Sequence, residues 1–383
     1  MSVLGLLPAI RGGLGDLARS GQHTRLVDGY LRRYAGVFDA VRYFSYLPES
    51  LGDFTRDAEL LARVTLLPGG GWHPWLYTLL LPLRHRRALA GCSVLRVFQI
   101  TGAVPAIVAR RCFGVPFVTT YGFSYAALAR SPLTRVLRRA VESAALATAD
   151  AVIVTTPALE AYVRGRRPRG QVHLIPNGVD TASFRPAPRP PRDTRELLYV
   201  GRLSDEKNLD VILEAAARLA GDVQVTFLGD GLARPRLEAR AQALGVRLRV
   251  RPVVPHAEVA AVMAAADVFV LASFSEGHPK VLLEAMASGV PCVASDCEGN
   301  RSLALDGQTG LLFDPHRPDE LADWLGRLLA DPGLAARLAA TARAMVVDRY
   351  DLGVLLDKEI ALLQGIAGLA QCDTMNGAAP LTS

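Results

Sequence analysis

Two glutamates separated by a turn are the residues of this chain best suited to chemistry. Glu276 and Glu284 lie eight positions apart in SFSEGHPKVLLEAMASGVP, on either side of a Gly-His-Pro turn. The apolar run before them predicts a buried strand, and Pro279 fits the first position of the helix KVLLEAMAS. A helix N-terminus attracts anions, so this turn suits a diphosphate, with Glu276 facing a sugar hydroxyl and Glu284 a ribose. The alternative is two helix-favouring glutamates, one of them on a solvated face.

Basic residues follow an earlier strand-like run. Gly201 and Arg202 end LLYVGR, and Lys207 lies five residues further on, before the helix-like NLDVILEAA. Lysine occurs only at positions 207, 280 and 358, and two of these fall in the segments just described. A guanidinium and an ammonium group on neighbouring loops suit a departing diphosphate, whose charge must be compensated. Solvated surface charges are the alternative.

Glycine-rich turns follow two other strand-like runs. Gly12 and Gly13 begin GGLG after the first run, a pattern that is not a dinucleotide fingerprint but permits close backbone approach to a ligand. Gly229-Asp230-Gly231 predicts a tight turn bordering a nucleotide. An ordinary turn is the alternative for the first of these segments.

Taken together, the segments resemble the retaining glycosyltransferases of the GT-B fold, specifically the large family four (glycosyl transferases group one). The Glu-x7-Glu stretch, LLYVGRLSDEKNLD, VTFLGDG and HLIPNGVD are similar to landmarks of that family and occur in its order, most densely over residues 150–330. The resemblance implies an α/β protein with two Rossmann-like, doubly wound domains facing across a cleft. It also implies transfer of a hexose-type sugar from a nucleoside diphosphate sugar to an acceptor hydroxyl, with the anomeric configuration retained.

The resemblance assigns roles to individual residues. Arg202 and Lys207 would stabilise the departing diphosphate, and Glu276 would hold the donor sugar. The other donor-binding positions are Gly201, Gly229, Asp230, Gly231, Gly277, His278, Lys280, Val281 and Glu284. The acceptor or N-domain loop positions are Gly12, Gly13, Tyr121 and Gly122.

One position departs from the family pattern. Many members carry a histidine near the reacting carbon, where this chain has Thr120, Tyr121 and Gly122. Tyrosine cannot replace imidazole as a base at neutral pH. We therefore expect the leaving diphosphate itself to accept the proton, with Tyr121 either in the acceptor site or packed in the core.

Neither a metal nor a covalent cofactor is expected. The seven histidines lack metal-ligand spacing, and no Asp-x-Asp occurs. The five cysteines include no Cys-x-x-Cys pair, which fits a reducing cytosol. The N-terminus lacks the basic start of a signal peptide, and the longest apolar segment, Trp75 to Leu83, is about half a membrane span. The predicted location is cytoplasmic, with peripheral attachment to the inner face of the membrane as an option.

At 383 residues the chain suits two domains. Alternating strand-like and helix-like runs over residues 1–185 predict a first Rossmann-like domain, and the Pro- and Arg-rich segment 186–196 a linker. Residues 197–350 repeat the alternation and predict a second domain of the same kind. The resemblance implies that the first binds the acceptor, that the second binds the nucleotide-sugar, and that a helix at 351–371 crosses back to the first domain. A disordered tail is expected at 372–383.

The net charge of +6 is unevenly divided. Residues 1–190 carry 24 arginines and 11 acidic side chains, while the remainder carries 19 basic and 26 acidic ones. No acidic residue occurs between Glu59 and Glu142, an interval that contains eleven arginines. Such a surface attracts anions, so we expect an anionic membrane or a phosphate-bearing glycan or lipid-linked acceptor, as in polysaccharide or glycolipid assembly. Arginine-decorated solvated helices are the alternative.

Two other functions are open at this stage. A GT-B epimerase acting on a UDP-sugar would need water at the anomeric carbon, usually with extra carboxylates, which the acid-free interval disfavours. A non-catalytic protein that binds nucleic acid or another anionic polymer would fit the basic first half. The chain lacks a recognised nucleic-acid-binding module, however, and its acidic second half would repel phosphates.

Overall fold

The computed structural model describes residues 1–123, 131–167, 170–188 and 193–368. The chain divides into two compact units, one formed by Met1–Ile175 with the segment from Leu356 onward, the other by Pro176–Leu355. The division lies ten residues before the predicted boundary at 185, so the described part of segment 186–196 belongs to the second unit. The tail predicted at 372–383 lies outside the described residues.

The first unit is built on a seven-stranded sheet in which every neighbouring pair is parallel, in the order β3-β2-β1-β4-β5-β6-β7. Its strands are Val3–Leu7 (β1), Ala40–Phe44 (β2), Val64–Leu67 (β3), Val94–Val97 (β4), Phe117–Tyr121 (β5), Ala151–Val154 (β6) and Gln171–Leu174 (β7). The side chains of β1, β4 and β6 are buried throughout, which explains why β1 and β6 are continuous apolar runs without alternation. In β4 the run is interrupted by the buried Arg96.

Helices connect these strands, and four of them start with proline in the first turn, where its missing N–H costs no hydrogen bond. The helices are Leu14–Arg19 (α1), Arg32–Val37 (α2), Ala58–Arg63 (α3), Pro74–Arg84 (α4), Arg86–Ala90 (α5), Val104–Phe113 (α6), Pro132–Thr148 (α7) and Pro157–Arg166 (α8). A π-helical segment, Arg25–Leu31, leads into α2. Helix α4 packs against α6, and α6 against α7, so these three form one layer.

The second unit contains a six-stranded parallel sheet in the order β10-β9-β8-β11-β12-β13. Its strands are Arg195–Val200 (β8), Val223–Leu228 (β9), Arg247–Arg251 (β10), Val268–Leu271 (β11), Cys292–Ser295 (β12) and Leu311–Phe313 (β13). Because β8 lies between β9 and β11, the loops that follow these three strands emerge side by side at one edge of the sheet. The predicted α/β class with two wound parallel sheets is confirmed.

The helices of the second unit and the final helix complete the fold. They are Leu209–Ala216 (α9), Arg234–Leu244 (α10), His256–Ala265 (α11), Lys280–Ala287 (α12), Glu298–Arg301 (α13), Pro318–Ala330 (α14), Pro332–Arg349 (α15) and Leu352–Ile366 (α16). Helix α16 begins in the second unit and belongs to the first from Leu356 onward. Within the described ranges, no helix is both long and apolar enough to cross a membrane.

A buried ion pair joins α16 to the sheet of the first unit. The guanidinium of Arg96 on β4 makes two hydrogen bonds to the carboxylate of Glu359, at 2.7 and 3.0 Å. The Tyr34 hydroxyl donates to the same carboxylate. Both charged side chains are almost fully buried, so each depends on the other for compensation of its charge.

Candidate functional site

Predicted catalytic and donor-binding residues of the second unit follow the carboxyl ends of neighbouring strands. Arg202 and Lys207 follow β8, Gly229 to Gly231 follow β9, and Glu276 follows β11. Ligands of open α/β sheets bind at this edge, where the loops from adjacent strands can reach one molecule. The strand order therefore brings together residues that lie up to 74 positions apart in the sequence.

Glycines let the loops after β8 and β9 touch. A Cβ atom on Gly229 would lie 2.0 Å from the Gly201 carbonyl oxygen, and one on Gly231 would lie 2.1 Å from that of Leu203. Gly229 also has a φ of +147°, which disfavours other residue types. The backbones are joined by a hydrogen bond of 3.0 Å from the Leu203 N–H to the Asp230 carbonyl. These contacts explain why glycine occurs here whether or not a ligand is bound.

Lys207 and Glu276 form an ion pair. The Lys207 Nζ lies 2.7 Å from the Glu276 Oε1, and the Ser273 hydroxyl donates to the same oxygen at 2.6 Å. The two charged side chains remain 22% and 14% exposed, so the pair lies at the surface of the unit and is not sealed inside it. Among the described residues, Oε2 of Glu276 has no hydrogen-bond partner.

Arg202 stands apart from this pair. Its side chain is exposed and, within the described part of the chain, has no ion-pair partner. Its backbone is fixed by the Tyr199 hydroxyl, which donates to the Arg202 carbonyl at 2.9 Å. Burial, reinforced by the nearby charge of Glu276, raises the pKa of Tyr199, so this hydroxyl stays protonated. The arrangement supplies one paired and one unpaired cation at the same sheet edge.

The turn between the two glutamates is held by a hydrogen bond to its backbone. The Asn177 side-chain amide donates to the His278 carbonyl at 2.7 Å. The His278 ring is only 7% exposed, and burial together with the charge of Lys280 lowers its pKa to about 4. It is therefore neutral near pH 7 and adds no positive charge for a phosphate. Helix α12 starts at Lys280, with Pro279 as the residue before it, one position later than predicted.

Glu284 is buried inside the unit. Its side chain is 5% exposed, and its Oε1 lies 2.8 Å from Nε2 of His256, the first residue of α11. The His256 ring in turn packs against Phe184, with ring centroids 5.0 Å apart. The side chain of Glu284 is thus oriented by a histidine that the sequence analysis did not select.

The first-unit residues have different surroundings. Backbone N–H groups of Leu14 and Gly15 donate to the Glu49 carboxylate at 2.8 and 2.7 Å, and a Cβ on Gly13 would meet the same carboxylate. The glycine loop is therefore packed around the carboxylate of Glu49, a residue of the same unit. Tyr121 is fully buried and stacks on Tyr162, with ring centroids 5.5 Å apart, which is the packed arrangement left open by the sequence.

Other predicted positions are less distinctive. Gly12 donates its N–H to the Ala9 carbonyl at 2.8 Å within its turn, while Gly122 has no close contact that would exclude a Cβ. Lys280 is exposed, and Gly277 and Val281 are half-buried at the start of α12.

Several site residues escaped sequence reasoning. They are Asn177, Ser273, His256 and Gly299; a Cβ on Gly299 would lie 2.3 Å from the Glu276 carbonyl oxygen. A usable signal was present for Gly299, because CEGN directly follows a strand-like run, as GDG does. The role of His256 depends on a contact with Glu284, 28 positions away. The Ser273 contact with Glu276 spans only three positions, but a serine after a strand is too common to mark a site. Among the described side chains, no group of three His, Cys, Asp or Glu could hold a metal ion.

Two units with wound parallel sheets, the second with convergent loops, form the architecture of the GT-B glycosyltransferases. Residues 32–183 match the model described as Glycosyltransferase Family 4, and residues 180–345 match Glycosyl transferases group 1. The two matches adjoin and extend over both units. The chain therefore belongs to the GT-B glycosyltransferases that combine these two domains, which confirms the resemblance found in the sequence at the level of family and fold.

Relatives at the sequence level include a D-inositol 3-phosphate glycosyltransferase of Xylanimonas cellulosilytica, 39% identical over 45% of this chain and 46% of the relative. An alpha-D-kanosaminyltransferase of Streptomyces kanamyceticus is 38% identical over 42% and 43%. The chain thus matches about half the length of these curated relatives.

Solved structures match almost the whole chain. Sucrose-phosphate synthase from Thermosynechococcus elongatus superposes with a TM-score of 0.78 at 25% identity, covering 96% of this chain and all of that one. Anabaena HepE in complex with UDP-glucose gives 0.76 at 19% identity, covering 95% and 100%. The second likeness concerns the fold alone.

Proposed function

We propose that the protein is a retaining glycosyltransferase that moves a hexose-type sugar from a nucleoside diphosphate sugar to an acceptor hydroxyl. The observation that carries this proposal is the Lys207–Glu276 ion pair of 2.7 Å at the carboxyl ends of β8 and β11, with the exposed Arg202 after the same strand as Lys207. Relatives named as glycosyltransferases support it. So does the matching fold of HepE, solved with UDP-glucose.

The ion pair suits a donor that carries both sugar and diphosphate. Ser273 and Lys207 both contact Oε1 of Glu276, which leaves Oε2 to accept from a donor sugar hydroxyl. An ammonium group has three N–H donors, so Lys207 can keep its contact with Glu276 and still donate to a diphosphate oxygen. The exposed Arg202 guanidinium adds a second, bidentate donor. Lys207 would thereby couple sugar position to leaving-group charge.

In the reaction, the bond between the anomeric carbon and the diphosphate oxygen breaks, and the acceptor oxygen bonds to that carbon on the same face. The hydroxyl proton passes to the departing diphosphate, which would serve as the base because Tyr121 is packed in the core. Arg202 and Lys207 stabilise the charge that develops on the diphosphate. The backbone of the turn at 277–281 contacts the phosphates, and Glu284 accepts from the ribose.

Charge compensation by these two cations makes the transfer independent of metal. EDTA should then leave the rate unchanged, whereas Lys207→Ala should lower turnover roughly a hundredfold. Lys358→Ala is the matched control, since this exposed lysine of α16 lies in the other unit. Loss of activity in EDTA, restored by magnesium or manganese, would contradict the metal-independent mechanism.

The acceptor is proposed to be a glycan or a lipid-linked hydroxyl used in polysaccharide or glycolipid assembly, presented at the inner face of a membrane. The support is the acid-free, arginine-rich interval of the first unit, which suits an anionic partner.

The direct test is thermal unfolding with UDP-, GDP- and ADP-sugars, because a ligand that binds only the folded protein raises its melting temperature. The donor found in this way is then supplied with candidate acceptors, and the anomeric configuration of the product is read by NMR. Inversion, or a donor epimerised without transfer, would contradict the proposal.

A further inference from the structure

Helix α4 carries an apolar stripe on its exposed side. Trp75, Leu76, Leu79 and Leu83 are 45%, 44%, 66% and 71% exposed, and Trp72 just before the helix is 51% exposed. Their spacing of three or four residues places them on one side of the helix. The opposite side is the one that packs, because Tyr77, Thr78, Leu81 and Pro82 are buried. Packing in the core therefore does not explain why the exposed side of α4 is apolar.

Helix α7 carries a second exposed apolar group in the same layer. Leu133, Val136 and Leu137 are 79%, 65% and 47% exposed on its first two turns. Helix α6, which packs against both α4 and α7, ends in the 39% exposed Phe113. Large apolar side chains exposed in groups on neighbouring helices favour a contact with another molecule.

Arginines border both groups. Arg84, Arg86 and Arg87 are exposed at the end of α4 and in α5, and Arg135 and Arg139 are exposed on α7. No acidic residue occurs anywhere between Glu59 and Glu142 to offset them. The part of this surface that comes from residues 60–141 combines apolar side chains with charge of one sign.

We propose that this surface, formed by the exposed residues of 72–87 on α4 and α5 and of 133–139 on α7, docks on an anionic lipid bilayer. Tryptophan and leucine would enter the interface while arginines meet headgroup phosphates. A nucleic acid would satisfy the arginines but not the leucines and valine. A second copy would bring the same positive surface against itself. Docking of this kind stands without the proposed function, but its use in presenting a lipid-linked acceptor rests on that function.

Not every apolar residue beside the arginines of 84–87 can reach a bilayer. Leu81, Pro82 and Leu89 are buried. The side chains available to a bilayer lie earlier, at 72–83, and at the start of α7.

The test is co-sedimentation of the full chain with phosphatidylcholine vesicles, with and without phosphatidylglycerol. Binding should require the anionic lipid and fall with salt. Leu79→Gln with Leu83→Gln, and Leu133→Gln with Leu137→Gln, should each weaken it by about tenfold or more, since each pair loses apolar burial. Leu61→Gln is the matched control, a 41% exposed leucine on α3, which packs against α2 and β3. It should bind like the wild type.

Wild-type protein that stays in the supernatant at low salt with anionic vesicles would overturn the proposal. Apolar variants that bind as tightly as the wild type would also overturn it. The contact would then depend on charge alone, as a contact with an oligonucleotide would. The melting-temperature shift with a nucleotide-sugar, measured on the same variants, should be unchanged. Failure of that shift in the wild type would count against the proposed function and not against docking.

Discussion

At the residue scale, the pairing of Lys207 with Glu276 is the central feature of the site. Each alone has an ordinary explanation, as a surface lysine or a glutamate before a helix. At 2.7 Å, with Ser273 on the same oxygen, they become a unit whose geometry is set before a donor arrives. A preorganised group of this kind stabilises developing charge without reorganising during the reaction.

This pairing predicts non-additive mutational effects. Glu276→Gln should lower turnover by an amount equivalent to about 1.5–3 kcal/mol, the value of a charged hydrogen bond, and Lys207→Ala roughly a hundredfold. The double variant should lose clearly less than both effects combined, because each change already removes the shared contact. The measurement is kcat and KM for donor in all four forms. Strict additivity would show that the two act independently.

Glu284 should depend on His256 for its orientation. We expect His256→Ala to raise KM for the donor several-fold with little change in kcat, since Glu284 is proposed at the ribose and not at the reacting sugar. His256→Gln keeps a hydrogen-bond donor and should recover part of the affinity. A fall in kcat alone, or no recovery with glutamine, would contradict a positioning role for the imidazole.

His278 should make stability depend on pH. Its folded pKa, lowered by burial to about 4, lies below the ordinary value of 6.5, so its contribution is present above pH 6.5 and is lost as pH falls toward 4. The loss should be on the order of 3 kcal/mol. The free energy of unfolding, measured in urea at several pH values, should fall less steeply below pH 6.5 for His278→Gln than for the wild type. The exposed His316→Gln is the control and should keep the wild-type slope.

Much of the candidate site could be predicted from the sequence, because its glycines, arginine, lysine and glutamates occur in short local patterns. The contacts among them could not. Glu276 is 69 residues from Lys207, and their proximity depends on β8 and β11 being neighbours in the sheet. His256 and Ser273 lack a local signature, since a histidine at a helix start or a serine after a strand has many ordinary uses.

At the element scale, strands and helices bounded by turn residues were predictable, whereas β3 was not. Val64–Leu67 continues directly from α3 without an intervening glycine or proline, so no signal marks the change. Helix α4 was also missed as an amphipathic helix, because leucines occupy both its buried and its exposed sides. Local propensity determines neither the end of α3 nor the buried side of α4; packing against neighbouring elements does.

The loop contact at Gly229 gives an element-scale prediction. Gly229→Ala should destabilise the second unit by about 1–3 kcal/mol and weaken donor binding, since the new Cβ would lie 2.0 Å from the Gly201 carbonyl at a φ of +147°. Gly165→Ala on α8 has open space and should gain about 0.5–1 kcal/mol. Thermal unfolding with and without donor measures both. An unaffected Gly229→Ala would mean that the two loops can separate freely.

At the scale of the whole molecule, the chain builds its first unit from both ends of the sequence. Residues from Leu356 onward supply Ile360 and Leu363 to its buried interior and Glu359 to Arg96. The sequence indicated a returning helix by resemblance, but not the residue that fixes it. Glu359 looks like any other helix carboxylate until its partner on β4 is known.

Glu359→Gln should therefore destabilise the first unit selectively. It leaves the Arg96 charge uncompensated in the interior, which costs about 3–5 kcal/mol. Pairing it with Arg96→Met should restore much of the loss, because both charges are then gone. Asp357→Asn, two positions away on the same helix, removes an exposed ion pair to Arg33 and should change stability by less than about 1 kcal/mol. In calorimetry, the transition that shifts upward with a nucleotide-sugar should remain in place while the other falls. Equal falls in both transitions would show that this ion pair supports the molecule as a whole and not the first unit alone.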